Sequence, residues 1–314
     1  MVKTVVKKVT LTNSVTKDSI VIDSKDGYYI IDEIDWDTPS VEMSAYRVPY
    51  QIGQSYAGLT VGTRKPTITG YVVAKDVEQA NTWEQYWENC ETAVQDKKEE
   101  LDRMISIYQE IVIEANGFYL DARPTAPPKY SNTYKENNEV LCKFILEFEC
   151  FNPMFYKETK TINFTVLENK FKFPLTIPKT KGITMGVEHR QKIILFENNG
   201  DVPVGCIIRM KAISDSLITQ QVNSITEDAK IIFSDLSMSA GDEIVINTNI
   251  GEESVKLHTQ SGDEVSIVGN MEVGYKLFKV LLGKNYYSYE TQPSDGVMDV
   301  SFEYREQYFN IRGM

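Results

Sequence analysis

Hydrophobic and polar residues alternate with a period of two over most of the first 75 residues, which is the pattern of β-strands buried on one face. Four segments show this alternation and are rich in β-branched and aromatic residues: 3–12, 28–36, 41–48 and 66–74. A Lys-Asp-Gly turn at 25–27 separates the first two. The sequence therefore predicts that the chain begins with β-strands.

One segment breaks this pattern, because after Asp76 the apolar residues recur every three or four positions, with only Lys97 out of place, and no Gly or Pro interrupts them. Asp76 stands where its side chain can cap the first turn. We predict a long helix over about 76–104, either continuous or bent near 96–98. Its apolar stripe consists of Ala80, Trp83, Trp87, Cys90, Val94, Leu101 and Met104.

The aromatic cluster of Trp83, Tyr86 and Trp87 in this helix admits two interpretations. It could be a partner-binding face, or it could be part of an apolar stripe packed on the sheet. Packing on the sheet is the favoured interpretation, because aromatic residues at helical spacing usually belong to a core.

The helix is followed by a predicted hairpin, in which strands at 109–115 and 118–123 flank Asn116-Gly117. The segment 124–138 is polar and proline-rich, which predicts an exposed loop or arm. Alternation returns in a long strand at 140–151. Within the predicted arm, the candidate subunit-contact residues are Pro124, Pro127, Pro128, Tyr130 and Tyr134.

The second half of the chain is predicted to be entirely β. A lysine-rich composition shift over roughly 157–190 separates it from the first half, so we predict domains at 1–160 and 161–314. Turns rich in Gly, Asn and Asp separate ten short candidate strands, a pattern typical of a β-sandwich. These strands lie at 191–197, 204–213, 217–225, 229–233, 243–248, 254–260, 263–268, 276–282, 285–290 and 297–304.

Charge and composition exclude several classes of function. The chain has 33 Lys and Arg against 45 Asp and Glu, a formal charge of −12, and its basic residues cluster only in pairs. Specific nucleic-acid binding is therefore not expected.

The amino terminus has no apolar signal segment, and no apolar run approaches the roughly 20 residues of a membrane helix. The four cysteines form no Cys-x-x-Cys pair and are predicted to be reduced, buried thiols.

No constellation of residues predicts catalysis, a metal site or a cofactor. Ser55 lies in a Gly-x-Ser-x-x-Gly stretch, but the sequence after it cannot form the helix that a nucleophile elbow requires. His189 and His258 have no second ligand at metal-binding spacing. The acidic stretch 32–37 lacks the glycine of a calcium loop. We therefore predict a protein that is not an enzyme.

The order of elements resembles the distal tail proteins of tailed bacteriophages and phage-tail-like particles. Residues 66–80 resemble the strand that precedes the helix in that family, and the segment 143–156, which ends in Phe-Asn-Pro-Met-Phe-Tyr, resembles its strand and aromatic turn. Residues 196–210 are similar to the entry into the family's galectin-like domain, and 277–290 to a later turn and strand. The matching structural positions are Gly200, Pro203, Gly283 and Asn285, while Leu282 stands where the family often has Pro.

The resemblance implies a mainly β fold: a β-rich α+β ring domain with one long helix, followed by a galectin-like β-sandwich. It implies a ring of about six copies at the tail tip or baseplate, bound to the tail tube protein, a tail hub protein and receptor-binding or baseplate proteins. Such a virion protein would be assembled in the cytoplasm of a bacterial host. An evenly acidic ring also suits a channel that DNA crosses without sticking.

Two alternatives remain open from the sequence. The first is a carbohydrate-binding module that engages cell-wall glycan, but all three tryptophans, Trp36, Trp83 and Trp87, lie outside the predicted sandwich. His258 also lacks a galectin-like cluster of His, Asn and Arg. The second alternative, a peptidoglycan hydrolase, has no acid, base or metal set to support it.

Overall fold

The computed structural model describes residues 6–78, 80–169, 186–272, 276–293 and 297–311. It divides into two compact units, the first formed by Met1–Lys157 with Tyr308–Met314 and the second by Glu158–Gln307. The predicted division placed everything after 160 in the second domain. The structure instead returns the chain to the first unit at Tyr308, whose ring packs edge-to-face on Phe118 with centroids 5.3 Å apart.

The first unit is a β-barrel with one helix. Its strands are β1 (Lys8–Asn13), β2 (Ser19–Asp23), β3 (Tyr29–Asp35), β4 (Val41–Tyr46), β5 (Ser55–Val61), β6 (Thr67–Val73), β7 (Ile111–Ala115), β8 (Phe118–Pro124), β9 (Lys129–Tyr130), β10 (Leu141–Glu149) and β11 (Phe155–Tyr156). The helix α1 spans Trp83–Met104. The last short strand of the chain, β24 (Gln307–Tyr308), joins the same sheet.

Seven strands close the barrel in the order β8-β7-β1-β2-β3-β6-β10, because β10 also pairs with β8. Alternation in the sequence explains the core: in β1 the side chains of Val9 and Leu11 are fully buried. Asn116 and Gly117 both have positive φ values, 53° and 74°, which confirms the predicted tight hairpin between β7 and β8.

The second unit consists mainly of two antiparallel sheets that enclose one core. Its strands are β12 (Lys160–Asn163), β13 (Thr165–Asn169), β14 (Gly186–Arg190), β15 (Ile193–Asn198), β16 (Cys206–Ala212), β17 (Thr219–Ser224), β18 (Ala229–Phe233), β19 (Glu243–Asn247), β20 (Ser254–His258), β21 (Glu264–Ser266), β22 (Gly283–Gln292) and β23 (Met298–Tyr304). One sheet has the order β12-β23-β16-β19-β20-β21 and the other β15-β22-β17-β18, while β13 and β14 pair with each other.

Aromatic side chains from both sheets meet in this core. Tyr287 of β22 lies 4.9 Å from Phe196 of β15 and 4.7 Å from Phe302 of β23, measured between ring centroids. The mainly β prediction with one helix is thus confirmed. The predicted strand at 276–282 is wrong: among its described residues only Val280 forms a bridge, an isolated one to Val204.

Candidate subunit interface

The strands β4 and β5 form a hairpin that no other layer of the described structure covers. They pair only with each other among the described strands, and every residue of β4 is exposed. Pairs Val41↔Val61 and Met43↔Leu59 place four apolar side chains on one face. Met43 is 75% exposed. A hairpin alone is marginally stable in water, so this apolar ribbon has the character of a surface that a partner completes.

The tip of the hairpin is held by one glutamine. The Gln51 side chain accepts a hydrogen bond from the Val48 backbone N–H at 3.1 Å and donates one to Ser55 Oγ at 2.7 Å. This arrangement leaves Tyr50 and Ile52 fully exposed. Ser55, whose sequence context excludes a nucleophile elbow, lies at the start of β5 and serves as this hydrogen-bond acceptor.

A second exposed apolar surface lies on α1. Trp83 is 77% exposed and Trp87 is 43% exposed, and Tyr86 sits between them with ring centroids 6.1 and 5.6 Å away. The prediction that these aromatic residues pack on the sheet is therefore wrong. We call Trp83, Tyr86 and Trp87 the aromatic patch.

The remainder of α1 packs on the barrel as predicted. Its buried residues are Cys90, Val94, Leu101 and Met104. The helix begins later than predicted, at Trp83, because Thr82 caps it by accepting a hydrogen bond from the Gln85 backbone N–H at 3.3 Å. Asp76 adopts a left-handed φ of 55° and does not cap the helix.

The predicted contact arm at 124–138 lies along β10 rather than projecting freely. Backbone bonds from Thr125 to Glu147 and from Ser131 to Lys143 attach it to that strand, each 3.0 Å long. The Tyr130 hydroxyl donates to the Lys98 carbonyl and the Asp102 carboxylate of α1. Pro124 and Pro128 are buried, whereas Pro127 and Tyr134 are exposed.

The four positions that the family resemblance singles out lie in the second unit, two between β15 and β16 and two at the start of β22. Asn285 is fully buried, and its side chain forms three hydrogen bonds to the backbone of Leu281 and Gly283. Gly283 has a φ of 77°, a conformation that favours glycine. A Cβ on Gly200 would lie 2.7 Å from the Gln307 carbonyl oxygen, while Pro203 is exposed.

The other polar candidates form salt bridges or hydrogen bonds. Asp32 of the acidic stretch pairs with Lys143 at 3.2 Å, and His258 Nδ1 lies 3.8 Å from a Glu264 carboxylate oxygen. The side chain of His189 lies outside the described residues. No group of three His, Cys, Asp or Glu side chains that could hold a metal exists in the described part of the chain. No described helix is long and apolar enough to cross a membrane.

All four cysteines are free and buried, which confirms that prediction. Burial raises the pKa of the Cys150 and Cys206 thiols to about 12 and also raises that of Cys142. At pH 8 these two thiols are therefore almost entirely protonated. We expect these three to react with iodoacetamide far more slowly in the native protein than in urea, as measured by mass spectrometry. Equal rates in both conditions would contradict the buried assignment.

The described architecture is similar to that of a phage hub protein of known structure. The SPP1 Dit (gp 19.1) protein, described as a paradigm of the hub adsorption apparatus in phages that infect Gram-positive bacteria, matches with a TM-score of 0.59. Its identity is 12%, over 95% of this chain and 98% of its own. Chains of the phage P2 baseplate in its activated conformation, with Ca or with Sr, match with TM-scores of 0.43 and 0.44 at 9% identity, over 95% and 96% of this chain and 98% of theirs.

No family model matches the chain, and no curated protein matches its sequence. The resemblance to the phage distal tail family is confirmed only at the level of the fold, through the match to the SPP1 Dit protein.

Proposed function

We propose that the chain is a structural protein of a phage tail tip or baseplate, a distal tail protein without catalytic activity. Its first unit forms a ring of about six copies at the end of the tail tube. Its second unit, a galectin-like sandwich, carries baseplate or receptor-binding proteins. The fold shared with the SPP1 Dit protein along nearly the whole of both chains supports this assignment.

The observation that carries the proposal is the uncovered hairpin. Eight of its apolar residues are at least about half exposed, which a single copy cannot stabilise by burial. Each copy presents the same hairpin, so burying it against a neighbour repeats the contact around a closed ring. These residues are Val41, Met43, Tyr46, Val48, Tyr50, Ile52, Tyr56 and Leu59.

We propose that DNA passes through this ring. The formal charge of −12 per copy supports that idea, because an acidic assembly repels the phosphate backbone. We also propose that the second unit binds proteins rather than cell-wall sugar. In support, one outer sheet face carries ion pairs of Arg209 with Glu303 and Glu243, at 3.0 and 3.6 Å, in place of an exposed aromatic platform.

The test is the mass of the purified full-length chain, measured by light scattering and negative-stain imaging. We expect a concentration-dependent ring for the natural sequence and a monomer for the double substitution Tyr50→Ser with Ile52→Ser, because the tip loses its fully exposed apolar contacts. The matched control is Tyr134→Ser, an exposed tyrosine of the 124–138 segment. A natural chain that stays monomeric at high concentration would contradict the proposal. Loss of the ring only in the control would assign the contact to that segment instead.

A further inference from the structure

The first unit carries two uncovered apolar surfaces, the hairpin tip and the aromatic patch. Within one copy they do not cover each other, since Tyr50 and Ile52 are fully exposed and Trp83 is 77% exposed. The first two turns of α1 are exposed all round, so the patch extends beyond the part of the helix that packs on the barrel. Both surfaces are therefore available to a neighbouring molecule.

The two surfaces are complementary in charge. From Trp83 to Asp96 the helix carries the acidic residues Glu84, Glu88, Glu91 and Asp96 and no basic residue. The hairpin tip, 47–54, contains one cation, Arg47, and no acidic residue. Arg47 is exposed and forms no ion pair within the described residues. An arginine beside tryptophans and carboxylates can bond the carboxylates and stack on the indole faces.

We infer that the hairpin tip of one copy docks on the aromatic patch of the next copy. This inference rests on the proposed ring and names its contact. A contact between two different surfaces of the same chain is head-to-tail, which is the kind of interface that closes into a ring. Trp, Tyr and Arg are the residues that most often dominate binding energy at such interfaces. Arg47 then faces Glu84 and Glu88 of the neighbour.

Photochemical cross-linking tests the contact directly. The full-length chain carrying Tyr50→p-benzoylphenylalanine is irradiated under ring-forming conditions and digested with trypsin. The aromatic patch lies in a single tryptic segment, Asp76–Lys97. We expect cross-links between copies to fall in that segment. The control is Ile250→p-benzoylphenylalanine, an exposed position of the second unit, which should not label that segment.

Substitution gives an independent measurement. Trp83→Ala with Trp87→Ala is expected to weaken self-association at least about a hundredfold, measured by sedimentation, whereas Tyr108→Ala should leave it unchanged. Arg47→Glu should also weaken it, and adding Glu84→Arg and Glu88→Arg to the same chain should restore it in part.

The outcomes separate this inference from the ring proposal. If the ring forms normally but the cross-links fall elsewhere, or if it still forms without both tryptophans, the proposed contact is wrong and the ring proposal is unaffected. A natural chain that never associates overturns both. Cross-links from the tip of one copy to the tip of another would replace the head-to-tail contact with a symmetric one.

Discussion

Replacing Arg64 by methionine is expected to lower the free energy of unfolding of the first unit by about 3–5 kcal/mol. Arg64 is fully buried and donates to four backbone carbonyl groups. Its guanidinium also lies 4.6 Å above the ring of Phe155. The acceptors are the carbonyl oxygens of Trp36 at 3.1 Å, Asp37 at 2.9 Å, Pro153 at 2.7 Å and Phe309 at 2.6 Å.

The size of the effect follows from what methionine leaves behind. It fills much of the volume but leaves the four carbonyls without their donor, and three separate stretches of chain lose their common anchor. One of these stretches is the tail that returns from the second unit. Burial lowers the pKa of Arg64, yet the arginine stays charged at neutral pH. Its hydrogen bonds to the carbonyl groups are therefore charge-assisted under the conditions of the unfolding experiment.

The measurement is urea unfolding followed by tryptophan fluorescence. All three tryptophans lie in the first unit, so this signal reports on it alone. Arg103→Met is the matched control, because Arg103 is exposed on α1 and should change stability by no more than about 0.5 kcal/mol. Arg64→Lys should recover little of the loss, since an ammonium cannot span four acceptors arranged for a planar fork. Superimposable curves for Arg64→Met and the natural chain would contradict this role.

The sequence predicted elements well where a local pattern determines them. Alternation correctly predicted most strands of the barrel and nine of the ten candidate strands after 190. The spacing of three and four residues correctly predicted the buried side of α1 from Cys90 to Met104. The missed strands have short or weakly alternating sequences: all have five residues or fewer except β5, and they are β2, β5, β9, β11, β12, β13, β14 and β24. Local periodicity records which residues can share a face, and for most elements that face is also the one that packs.

The same pattern could not predict where packing stops. Trp83 and Trp87 continue the stripe of Cys90 and Val94, but the helix extends beyond the sheet by about two turns, which depends on tertiary structure. The β4 segment shows ordinary alternation, yet among the described strands it pairs with none of the barrel. The exposed residues of both surfaces follow the same spacing as buried residues, so the sequence pattern could not show that they are exposed.

Buried polar anchors leave little trace in a sequence. Arg64 appears only as half of an Arg-Lys pair, because its acceptors are main-chain carbonyls that any residue supplies. The return of the chain at Tyr308 has no local signal either. By contrast, Asn285 was identified through the family resemblance, and the structure shows what its side chain does.

Replacing Asn285 by alanine is expected to lower the free energy of unfolding of the second unit by about 2–3 kcal/mol. Its Oδ1 accepts from the Leu281 N–H at 2.9 Å, and its Nδ2 donates to the carbonyls of Leu281 at 2.7 Å and Gly283 at 2.9 Å. Alanine leaves these groups without partners at the start of β22, where Gly283 already requires a positive φ. The second unit has no tryptophan, so circular dichroism should show an earlier transition while tryptophan fluorescence does not change. Lys284→Ala, an exposed neighbour on β22, should leave both curves in place, and an unchanged circular dichroism curve for Asn285→Ala would show that the turn holds without its side chain.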